Sequence, residues 1–202
     1  MKYQKKKKMI KTNYLYSNFV LLFATIKTKK DGAEMELKEL TEKTLSLLEI
    51  ENIDEMSKRL YEMVSNNNIQ IYEQFCNLIE NNLSVDWLQK IFQYYQADRK
   101  EKMQDYTPKS LADFMGLLAG DSDTVIDMCA GSGALTIQKW NRNNDLKFKL
   151  YEFDTNVIPF LLFNMAVRNI SCTVYHADVL QMDIFKEYQI TKGEKYGVFK
   201  EV

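Results

Sequence analysis

The sequence predicts an α/β protein, a partial doubly wound parallel sheet preceded by a small helical domain. Three observations predict it. Apolar residues at three- and four-residue spacing run through residues 36–102 and then stop. Beyond residue 105, short β-branched runs alternate with helical stretches, which implies strands joined by crossover helices. Gly131 and Gly133 follow the first of those runs and open the next helix, where a chain turns to meet a ligand.

The chain has 202 residues, 46% of them hydrophobic, with only 7 glycines and 2 prolines. That composition suits a packed domain with an appendage rather than a linker-rich chain. Cys76, Cys129 and Cys172 are odd in number and far apart, which argues against a disulfide framework or zinc cluster and suits a reducing cytoplasm. The net charge of −1 conceals an asymmetry. Nine of the 27 basic residues lie in 1–30, which holds no acid, so the rest carries 18 bases against all 28 acids. Overall charge would not draw the body of the protein to DNA, so any grip on DNA must be local or come from a partner.

Residues 1–34 read as a translated leader or disordered basic segment. Lys5 to Lys8 precede an apolar run from Tyr14 to Ile26 that resembles a signal peptide. The run is short of the ~20 residues a membrane span needs, and no cleavage site follows it. Met35 opens sequence of a different character, and Gly32-Ala33 is encodable with an embedded ribosome-binding sequence. Met35 is therefore the expected natural start.

Residues 35–103 form the expected helical domain. Leu37, Leu40, Leu47 and Leu48 make one stripe, and Met56, Leu60, Met63 and Val64 a second. Asn66-Asn67-Asn68 breaks the chain before Ile71, Phe75, Leu78 and Ile79. Ser84 is placed to cap a helix whose apolar face is Trp87, Leu88, Ile91 and Phe92.

Residues 104–202 form the sheet domain. Strands are expected at Thr124–Met128, Lys147–Tyr151 and Cys172–Tyr175, with helices at Ala134–Trp140 and Thr155–Asn169. The loop Asp127-Met-Cys129-Ala130-Gly131-Ser132-Gly133 needs glycine for backbone angles closed to other residues and for close approach of a ligand. Glu152, at the end of the second strand, is placed to accept both ribose hydroxyls. A dinucleotide site would want a third glycine where Thr136 stands, and would not place Asp127 at the strand end. A carboxylate there suits a cationic ligand.

These residues resemble the S-adenosylmethionine loop of DNA adenine-N6 methylases, the group that includes the modification subunit of type I restriction–modification systems. Tyr106-Thr107-Pro108 resembles the Tyr/Phe-Thr-Pro element that precedes the loop, Glu152-Phe153 the ribose element, and Asp178-Val179 the element that binds the adenine amino group. The resemblance covers about 104–185 and implies a Rossmann-like class I methyltransferase fold with S-adenosylmethionine as cofactor. It places Asp127 on the methionine amino group, Cys129 to Gly133 along the loop, and Phe153 over an adenine face. Cys129 has no claim as a nucleophile, His176 reads as a strand end, and no catalytic or metal-binding residue is assigned.

The family orients its target amine with Asn-Pro-Pro-Tyr/Phe, because the lone pair of adenine N6 is delocalised and must be redirected. Pro108 and Pro159 stand well apart, so that motif is absent from these 202 residues. The expectation is a truncated methylase, inactive alone, whose sheet keeps three strands and an unpaired edge. DNA would be reached through a missing C-terminal part or a specificity subunit, and a protein partner would complete the site; no membrane is implied. The alternatives are a non-catalytic cofactor-binding or assembly module, and methylation of RNA or protein.

Overall fold

A computed structural model describes residues 37–95, 109–118, 120 and 122–202. Leu40–Val202 form one compact unit; of the unit before it, Met1–Glu39, only residues 37–39 are described, as helix. The proposed leader and the boundary near 103/104 lie outside the described residues.

Helix α1 covers 37–48, and its buried stripe is Thr41, Thr44, Leu45 and Leu48. The face is therefore rotated from the expected leucine stripe: Thr44 turns inward by donating its hydroxyl to Leu40 O at 2.8 Å. Helix α2 (Met56–Ser65) buries Met56, Leu60, Met63 and Val64, as their spacing implies. The asparagine run ends it, and Asn68 caps α3 (Ile69–Leu78) by accepting from Ile71 N. Helix α4 (Trp87–Tyr95) is capped by Asp86, which accepts from Gln89 N at 3.0 Å, and not by Ser84, whose hydroxyl is turned to Asn82. Helix α5 (Lys109–Leu118) was not anticipated; it packs on α6 (Ala134–Arg142), with Ala112 and Gly116 buried.

The sheet has five strands in the order β1 (Thr124–Asp127), β2 (Lys147–Glu152), β3 (Cys172–Asp178), β4 (Asp183–Thr191) and β5 (Val198–Glu201). The first three are parallel and lie where expected. The last two are antiparallel, so the sheet is mixed and not the all-parallel one expected. The reason is local. Asp178 Oδ1 accepts from Leu180 N and Gln181 N, folding 179–182 into a turn that sends the chain straight back along β3. A turn this short cannot make the crossover that a parallel neighbour requires.

Strands β1 to β3 follow one another across the sheet, so right-handed crossovers place α6 and α7 (Ile158–Val167) on the same face. Phe148, Leu150, Val174 and Ile190 are buried there, while Lys147 and Lys149 on the other face are exposed. Among the described residues the helices thus cover one face, not the two of a doubly wound sheet. Helix α7 is buried all round, between α2, α3 and α4 on one side and β3 to β5 on the other. The edge at β5 is closed: Asn67 accepts from Phe199 N at 2.7 Å and donates to Phe199 O, replacing a strand's bonds with one side chain. The other edge strand is β1, where Ile126 is exposed.

Candidate cofactor-binding site

The carboxyl ends of the three parallel strands bring Asp127, Glu152 and Asp178 to one edge of the sheet. The glycine loop crosses in front of them. Ala130 N donates to Tyr151 O at 2.9 Å, which fastens the loop to β2, and Gly133 N donates to Ala130 O, which closes the turn. Gly131 and Gly133 have φ of +55° and +100°, both in the region where an L side chain is strained. Nothing lies within 4 Å of the place a Cβ would take at Gly131, so the loop is open there. A Cβ at Gly133 would lie 2.8 Å from Met165 Cε and 3.0 Å from Leu161 Cδ1. The first glycine thus leaves room above the loop, and the second lets α6 pack on α7.

Glu152 holds the loop directly. Its Oε2 accepts from Gly131 N at 2.7 Å, and its Oε1 accepts from Phe153 N and Asp154 N at 2.9 and 2.8 Å. Sequence reasoning assigned it to a ribose and missed this second task. Asp127 Oδ1 accepts from Cys129 N at 3.2 Å, and its Oδ2 lies 3.5 Å from the Thr136 hydroxyl. Burial pushes the Asp127 carboxyl up from its ordinary range; the Cys129 and Thr136 bonds oppose that, and the charge of Glu152 adds to it. The negative charge near Asp127 raises the cost of ionising it, and a bound cation would offset that cost.

The remaining predicted residues divide. Cys129 is exposed on the loop and Ala130 is buried behind it. Ser132 is turned into the protein: its side chain is buried and its hydroxyl donates to Asp86 at 2.6 Å. Phe153 is 63% exposed beside the loop, with its ring centroid 6.4 Å from that of Phe185. His176 does not end its strand. It sits in β3 at a register shift, its ring edge-on to Phe185 and its Nε2 3.1 Å from Phe153 O. Asp178 organises the hairpin turn, in which Val179 stands. Tyr106, Thr107 and Pro108 lie outside the described residues.

A family model for N-6 DNA methylases matches residues 84–195, more than half of the chain. The chain belongs to the N-6 DNA methylase family. The match begins just before α4 and takes in the glycine loop, the three parallel strands and all of β4, so every described residue of the site falls within the family's domain. No curated protein and no solved structure matches the chain. The family supports methyl transfer to DNA as the activity in general.

Among the described residues, no group of three or more His, Cys, Asp or Glu is arranged to hold a metal ion, and no helix is long and apolar enough to cross a membrane. The site comprises two carboxylates beside a loop with open space at Gly131 and an exposed aromatic ring alongside.

Proposed function

We propose that this chain binds S-adenosylmethionine and forms the cofactor-binding part of an adenine-N6 DNA methylase of a restriction–modification system, built on a class I methyltransferase fold. The observation that carries this reading is that Asp127 and Glu152 stand at the strand ends beside the glycine loop, where Glu152 accepts from Gly131 N and the space at the Cβ position of Gly131 is open. When bound, S-adenosylmethionine supplies an activated methyl group on a sulfonium. Asp127 would hold the cationic methionine end, the carboxylate of Glu152 the ribose hydroxyls, and Phe153 and Asp178 the adenine. Cys129 to Gly133, with Gly131 at the centre, would line the approach through backbone atoms, and Val179 would flank the adenine end. Tyr106-Thr107-Pro108 would close over the methionine end, as the resemblance implies. Work in a cytoplasm suits three unpaired thiols, two of them buried.

Transfer to an adenine amine further requires a group that redirects the amine's lone pair, the part played in the resemblance by Asn-Pro-Pro-Tyr/Phe. We assign that part to a segment or partner that joins along β1. What supports it is the edge position of β1, exposed Ile126 and Met128, and the exposed Phe114, Leu117 and Leu118 of α5. DNA contact through that segment or a specificity subunit fits the acidic body.

Isothermal titration tests the cofactor assignment. S-adenosylmethionine and S-adenosylhomocysteine should bind more tightly than NAD, and tighter NAD binding would overturn it. A separate chain carrying Asn-Pro-Pro-Tyr/Phe, if it completes the site, should restore transfer of labelled methyl groups to DNA; added RNA or protein as the better acceptor would redirect the substrate assignment.

A further inference from the structure

We infer that Asp86, outside the cofactor elements in sequence, is a positioning residue that sets the glycine loop through Ser132. The inference rests on the cofactor reading above for its ligand, though not for its geometry. Asp86 is 6% exposed and lies just before α4. Its carboxylate accepts three hydrogen bonds: from Ser132 Oγ at 2.6 Å, from Asn164 Nδ2 at 3.0 Å and from Gln89 N at 3.0 Å. Asn164 Nδ2 also donates to Ser132 O at 2.9 Å, so the serine is gripped at both its side chain and its carbonyl.

Arg168 fixes the gripping groups in turn. It donates to Asn164 Oδ1 at 2.8 Å, which sets which way the Asn164 amide points. It also donates to Leu83 O and Val85 O, at 2.9 and 2.8 Å, which anchors the backbone leading into Asp86. Both ionisable groups are buried. Burial lowers the Arg168 guanidinium to about 10, so it stays charged at neutral pH. Burial also pushes the Asp86 carboxyl up, opposed by the Ser132 bond and the Arg168 charge.

Burying a carboxylate and a guanidinium is costly, and apolar side chains would fill the same space at less cost. What apolar side chains would lack is direction. Ser132 stands between Gly131 and Gly133, whose positive φ angles can be reached in many ways by a free chain. Holding Ser132 from behind selects one of them, the one that points Gly131 N–H at Glu152 and leaves the ligand side of Gly131 open. The network therefore trades stability for a loop already in its binding conformation, and the cofactor need not order it.

Two measurements on the full chain test this. Ser132→Ala removes one hydroxyl and should leave the fold intact. Amide hydrogen exchange in the peptide spanning 129–133 should accelerate on the order of tenfold, with exchange in β2 unchanged, and S-adenosylmethionine should bind on the order of tenfold more weakly. Asp86→Asn should weaken binding similarly, and the double variant should be no weaker than the worse single one, since the Ser132 hydroxyl acts only through its bond to Asp86. Unchanged loop exchange in Ser132→Ala would overturn the inference, as would faster exchange with unaltered affinity or additive losses in the double variant. If the unaltered chain binds no S-adenosylmethionine, the cofactor reading fails, while the exchange measurement still decides whether Asp86 positions the loop.

Discussion

Substituting alanine at the two loop glycines separates the part of the loop that binds from the part that packs. Gly131 has φ +55°, which costs an L residue about 1–2 kcal/mol, and its missing Cβ would meet nothing within 4 Å. Gly131→Ala should therefore lower stability by only about 1–2 kcal/mol. Its methyl group would stand in the open space over the loop, so S-adenosylmethionine should bind at least ~10-fold more weakly, since close approach is what the glycine permits. Gly133 carries a similar strain at φ +100°, and its Cβ would fall 2.8 Å from Met165 Cε and 3.0 Å from Leu161 Cδ1. Both side chains are fully buried, so relief requires the core to shift, at about 1–3 kcal/mol. The total for Gly133→Ala is about 2–5 kcal/mol, a large share of the ~5–15 kcal/mol of a typical domain. Urea denaturation gives the stability terms and calorimetric titration the affinity. Equal destabilisation by the two variants would refute the packing argument. Undiminished binding by Gly131→Ala would refute the placement of the ligand.

Glu152→Ala should weaken the cofactor by about 1–3 kcal/mol and also speed exchange at Gly131, because it leaves three backbone N–H groups without their acceptor. Binding should depend on pH through Asp127, whose folded carboxyl titrates above its ordinary value: affinity for the cation is full above that raised value and falls as pH drops through it. The stability linkage of the ligand-free chain has the opposite sign, since Asp127 and Asp86 both hold protons more tightly folded than unfolded. Their contribution is greatest below the unfolded value and declines as pH rises through the folded ones; urea midpoints in an acid series measure it. A thiol reagent should label native protein at Cys129, which is exposed, and spare Cys172, where burial holds the thiol protonated; bound S-adenosylmethionine should slow the labelling. The 202-residue chain alone should transfer no labelled methyl to DNA if the amine must be oriented by Asn-Pro-Pro-Tyr/Phe, which its sequence does not contain. Robust adenine methylation by that chain would show that the amine is oriented by residues assigned here to other tasks.

Local chemistry left a clear record of the first three strands, the loop and most of the helices. Thr124 to Asp127 is β-branched and apolar before a glycine turn, and the apolar spacing of Met56, Leu60, Met63 and Val64 needs only one buried face to be satisfied. The leucine stripe of α1 misled because the partner surface, and not hydrophobicity alone, decides which face turns inward. Helix α5 was missed because what seats it, a small-residue contact through Ala112 and Gly116, has little hydrophobic signal. Strands β4 and β5 alternate as strands should, with Tyr188, Ile190 and Phe199 buried. They were missed because the strand order assumed from the preceding pattern was parallel.

The sequence by itself determined the chemistry at the carboxyl ends of the strands: which acids stand there, at which spacing, around which glycines. That information is local, since Asp127, Gly131 and Gly133 share one turn and Glu152 ends the next strand. Tertiary structure alone decided what holds that turn in place. Asp86 meets Ser132 and Asn164 across separations of 46 and 78 residues, and Asn67 meets Phe199 across 132. The one hint in the sequence was a pair of polar residues, Asn164 and Arg168, four apart at the end of an otherwise apolar helix. Such a pair says that partners exist and cannot say which. A buried polar group must be satisfied, but any donor or acceptor brought near will satisfy it, and only the folded chain selects one.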